Sequence, residues 1–84
     1  MDKHELRAIQ GFLSAVGEGL EADRDGVTLR DRLSELSRII QRLMSARVGA
    51  GSLRTKVHLA TLERTARRYR RRIAVKLNEG RRPG

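Results

Sequence analysis

The chain has 84 residues, 19 Lys+Arg against 10 Asp+Glu, a formal net charge of +9 and no Cys. This length holds one domain at most, which buries only about 60–65% of its unfolded surface, so the core is thin. The lack of cysteine excludes a disulfide framework, a thiolate metal site and a cysteine nucleophile, and no run of about 18 apolar residues offers a membrane span.

The first segment, MDKHELRAIQ, carries two acids among its first five residues. It has neither the apolar core of a secretory signal nor the acid-poor composition of a transit peptide, so an intracellular, cytoplasmic location is expected. Asp2 is placed to cap a first helix, with Glu5 three residues on. Leu6, Ile9, Leu13, Val16 and Leu20 step by three and four and draw one apolar stripe along it. Gly11, Gly17 and Gly19 each weaken this helix by up to roughly 1 kcal/mol relative to Ala, which predicts the least stable of three helices.

Glu21 to Gly26 reads as an acidic turn. Glu21, Asp23, Asp25 and Gly26 imitate the start of a calcium loop, but Arg32 stands where that loop requires its bidentate Glu. No metal is expected there. Thr28 is the expected N-cap of a second helix, with Asp31 in its first turn. Leu29, Leu33, Leu36, Ile40 and Leu43 form its stripe, flanked by Ile39 and Met44, and it should end near Val48. An apolar arc that wide buries against two partners.

Gly49-Ala50-Gly51 reads as a tight connection able to use positive φ. Ser52 should cap a third helix running to about Asn78, with the basic residues 79–84 as a flexible tail. Its core stripe is Leu59, Leu62, Ala66, Tyr69 and Ile73. The connection between helices two and three is short enough to make them antiparallel neighbours. The expected fold is therefore all-α: a small three-helix bundle over residues 1–78, built on a long helical hairpin with a weaker N-terminal helix.

Charge divides the chain. Residues 1–45 hold 7 basic and 8 acidic residues, and residues 46–84 hold 12 and 2. Sixteen of the 19 basic residues are arginine, whose planar fork suits oxyanions, although a GC-rich coding bias raises arginine as well. Arg64, Arg67, Arg68 and Arg71 fall opposite the core stripe of helix three. Arg70 and Arg72 flank it, Lys76 follows, and Arg81 and Arg82 lie in the tail. Within that helix Glu63 alone can offset them. Such a ridge repels itself unless an anion lies against it, and nucleic-acid phosphate is the commonest such anion. The bland alternative is a solvated face, or one that meets the acids of a protein partner.

Leu53, Val57 and Ala60 make a second apolar stripe on helix three. Either helix one covers it or it is a self-association or partner surface. A thin core with two apolar faces leads to a homodimer as the expected state. A helix-turn-helix is open to the same hairpin, although its arginines begin three turns into the helix, where base readers seldom sit. His4 and His58 lack metal-ligand spacing, and His58 is expected half-buried at the edge of the core. Phe12 and Tyr69 are too few to build a base-stacking platform. No catalytic constellation or cofactor motif is present, so neither enzyme activity nor a cofactor is expected.

The hairpin of residues 29–77, with its heptad-like leucines and glycine turn, resembles the small helical-hairpin co-chaperones of type III secretion. That resemblance implies a non-enzymatic adaptor docking on an acidic protein partner. The residues themselves favour a small basic helical protein that binds DNA or RNA through phosphates.

Overall fold

The structure is a computed structural model that describes residues 1–22 and 25–81, with the backbone alone at residues 80 and 81. Three helices account for almost all of it: α1 (Lys3–Gly19), α2 (Gly26–Gly49) and α3 (Leu53–Arg81). No strand occurs among the described residues. The fold is the expected three-helix, all-α one, built on a hairpin of α2 and α3.

Local chemistry explains most of the boundaries. Asp2 accepts a hydrogen bond from the Glu5 N–H at 2.8 Å and so caps α1. Ser52 Oγ accepts from the Thr55 N–H at 3.2 Å at the start of α3. The start of α2 differs from expectation. Asp25, not Thr28, is the N-cap: it accepts from the Val27 N–H at 3.3 Å, while the Thr28 hydroxyl donates to its other oxygen at 3.0 Å. Two short polar side chains competed for this role, and the aspartate upstream won because it takes both donors. These bonds favour the ionised carboxylate. The Thr28 hydroxyl, then the Val27 N–H, hold the Asp25 pKa below the ordinary aspartate value.

Two further boundaries need correction. Neither Gly49 nor Gly51 adopts the left-handed φ that favours glycine in the α2–α3 turn. Instead Ala50 ends α2 in an extended conformation, φ −72° and ψ 131°, with its N–H bonded to the Arg47 carbonyl at 3.3 Å. At the other end α3 runs on to Arg81, past the expected stop near Asn78. Residues 23 and 24, within the expected acidic turn, and residues 82–84 lie outside the described residues.

Packing is closest between α2 and α3. Leu36, Leu43, Ala66 and Ile73 are fully buried along that seam, and the small Ala66 lets the two backbones approach. The helices run antiparallel, with Arg47 beside Glu63 and Met44 beside Arg67. An antiparallel hairpin is not the steep crossing of a helix-turn-helix.

α1 packs more weakly on this hairpin. It runs parallel to α3, since Gln10 meets His58 (3.2 Å) and, further along both helices, Glu21 meets Arg72 (2.7 Å), and so antiparallel to α2, where Glu5 bridges Arg42 (3.0 Å). Ile9, Leu13, Val16 and Leu20 are buried under it. At Gly17 the α1 backbone lies against the end of the Tyr69 side chain: an added Cβ would be 2.7 Å from the hydroxyl oxygen. The result is a rod of 51 × 19 × 15 Å. Its 6168 Å² of accessible surface exceeds the roughly 5,000 Å² expected of a compact chain of this mass. No helix among the described residues is long and apolar enough to cross a membrane.

Candidate nucleic-acid interface

α3 owes its two faces to the 3.6-residue period. Leu59, Ala66 and Ile73 point into the core and are buried, with Leu62 and Tyr69 half-buried beside them. Opposite them Arg64, Arg68 and Arg71 are exposed. Arg70 is half-buried on the α2 side. These four guanidinium groups make no hydrogen bond or ion pair with any described residue. With Arg67 and Ala74 they surround a shallow, open recess on the surface of α3.

Arg67 and Arg72 stand differently from the expected pattern. Arg67 leans toward α2, with Nε 3.5 Å from Glu63 Oε2 and Nη2 3.3 Å from Met44 Sδ. Arg72 leans the other way and donates from Nη2 to Glu21 Oε1 at 2.7 Å. Lys76 is half-buried and already engaged. The expected contributions of Arg81 and Arg82 rest on side chains outside the described residues. The ridge is thus three exposed arginines along a crest, one half-buried neighbour, and two flanking arginines tethered to the body of the protein.

Glu63 is the residue whose importance the spacing understated. It is 8% exposed, one of the few acids on α3, and it meets both Arg67 and Arg47, whose Nη1 lies 3.4 Å away. Its Oε1 is buried without a partner among the described residues. The signal was present: Glu63 follows Leu59 by four and precedes Ala66 by three, which puts it on the rim of the core stripe facing α2.

The second apolar stripe is not covered by α1. Leu53 is 77% and Val57 58% exposed, and Val48 across the turn is 85% exposed. Ala60 is half-buried. α1 lies on the opposite flank of α3, beside His58 and Tyr69, and cannot reach them. His58 is itself exposed rather than half-buried, because Gln10 meets its ring at the rim of the seam. Met44 is also exposed, so the arc of α2 is narrower than the leucine pattern implied.

Among the described residues no group of three or more His, Asp or Glu could hold a metal ion. Chemically the guanidinium groups of this ridge offer N–H donors and no acceptor. The chain matches no protein-family model, and neither a curated protein nor a solved structure matches it.

Proposed function

We propose that the protein binds nucleic acid through the phosphate backbone, with the outer face of α3 as the contact surface. One observation supports this above the rest: Arg64, Arg68, Arg70 and Arg71 lie within two turns of one helix and have no partner among the described residues. Like charges held this close repel, and a line of phosphates relieves the repulsion while releasing counterions. The role is binding, regulatory or architectural, and not catalytic. Self-association belongs to the same reading. A second copy would cover Val48, Leu53 and Val57, which are exposed here.

A titration against mixed-sequence DNA and RNA at two salt concentrations tests the proposal. Each phosphate contact on duplex DNA contributes about −0.9 to the slope of log K against log salt, so four contacts give roughly −3 to −4. Changing Arg68 to Ala should lower that magnitude by about one unit and leave the melting temperature unchanged. Absence of binding at low salt would end this reading in favour of an acidic protein partner.

A further inference from the structure

The charge on α3 is arranged in two rows. At 100° per residue Arg67 and Arg71 form an i, i+4 pair on the α2 side of the crest, and Arg68 and Arg72 form a second pair on the α1 side. Arg64 sits between them. The rows are held apart by the protein itself: Glu63 and Met44 draw Arg67 to one side, and Glu21 draws Arg72 to the other. A guanidinium has five N–H donors, so each tethered arginine keeps donors for a phosphate. Tethering also reduces the side-chain freedom lost on binding.

A single strand presents one line of phosphates, and proteins that grip it without sequence preference add aromatic side chains on which bases stack. Neither aromatic is placed for that. Phe12 is half-buried against the core, and the Tyr69 ring lies half-buried against Gly17. Two rows of arginine fit two lines of phosphate. A helix about 10–12 Å across fills the B-form major groove, about 12 Å wide, but not the minor groove, about 6 Å wide. The major groove of A-form RNA is too narrow to admit it. No amide side chain lies between Arg64 and Lys76 to read adenine.

Resting on the phosphate-binding reading above, we propose that the ligand is B-form duplex DNA, with α3 lying along the major groove. Arg67 and Arg71 contact the phosphates of one strand, and Arg68 and Arg72 those of the other. The test uses the full chain, a mixed-sequence DNA duplex of about two helical turns, each of its single strands and the equivalent RNA duplex, by fluorescence anisotropy across a salt series. The paired variants Arg67→Ala/Arg71→Ala and Arg68→Ala/Arg72→Ala are compared with the parent after thermal melts confirm that they fold.

The DNA duplex should bind more tightly than either single strand or the RNA duplex. Each paired variant should flatten the DNA salt slope by about 1.8, twice the single-contact value. Methyl green, which occupies the major groove, should displace the protein, and netropsin, which occupies the minor groove, should not. Equal or tighter binding of single strands or duplex RNA, loss confined to one paired variant, or displacement by netropsin would overturn the groove proposal while phosphate binding stood. No binding to any of the four nucleic acids at low salt would overturn the phosphate reading itself.

Discussion

α1 and the α2–α3 hairpin are held by different means. α1 has the clearer amphipathic pattern, yet it packs more weakly. α3 reads as the most polar of the three helices, yet Ala66 and Ile73 are fully excluded from solvent. The difference lies in what occupies the seam. Between α2 and α3 the small Ala66 is fully buried in the same core as Leu36 and Leu43, and these two long helices pack most closely. Between α1 and α3 a large side chain intervenes: the Tyr69 ring ends against the bare backbone of Gly17. A clean apolar stripe shows which face turns inward. The size of the residues at the contact decides how near the partner comes.

The strongest way to break this comparison is to truncate each seam. Leu36→Ala and Ile40→Ala, both at positions at most 2% exposed, should cost about 2–5 kcal/mol each by chemical denaturation. Leu13→Ala in α1 should cost less, because a weakly docked helix can release before the hairpin unfolds. Equal losses at Leu13 and Leu36 would show that the two regions unfold as one unit.

Glycine substitutions sharpen the contrast at smaller amplitude. Gly11 has nothing within 4 Å of an added Cβ, so Gly11→Ala should stabilise the protein by about 1 kcal/mol through helix propensity alone. Gly17→Ala gains the same propensity but meets Tyr69, so its melting temperature should rise less or fall. In a Tyr69→Phe background, with the hydroxyl gone, Gly17→Ala should recover part of the gain, since the ring carbon Cζ stays 3.2 Å from the added Cβ, and a double-mutant cycle reads that coupling.

The smallest expected effect is at Asp25. Its pKa is depressed in the folded state, so its contribution to stability is present above the unfolded value and fades as pH falls through the folded one. Helicity at the start of α2 should weaken below about pH 4. Asp25→Asn, which keeps an acceptor, should remove the pH dependence without abolishing the cap.

Much of this was legible in the residues, and the gaps have physical causes. Leucines spaced by three and four set the three helices, the hairpin and nearly every core position. Competition between neighbouring caps hid the start of α2, since Asp25 and Thr28 are both good N-caps and spacing alone does not rank them. The fate of Arg72 was hidden because its acidic partner, Glu21, is 51 residues distant. Arg67 has its acid, Glu63, one turn back on the same helix, but Met44, which also holds it, lies across the seam. Leu53 and Val57 proved exposed because a helical wheel gives the angle of a face but not which flank a third helix selects.

The slender outline bears on how the oligomeric state can be measured. A radius of gyration of 14.1 Å is that of a compact globule of about 130 residues. On gel filtration a monomer would therefore elute ahead of its mass, partway toward the position of a globular dimer. Rotational correlation times share the bias, since end-over-end tumbling of a rod is slow. Methods that weigh the particle, such as sedimentation equilibrium or light scattering, separate one copy from two, and a Val57→Glu variant read by either reports directly on the exposed apolar tip of the hairpin.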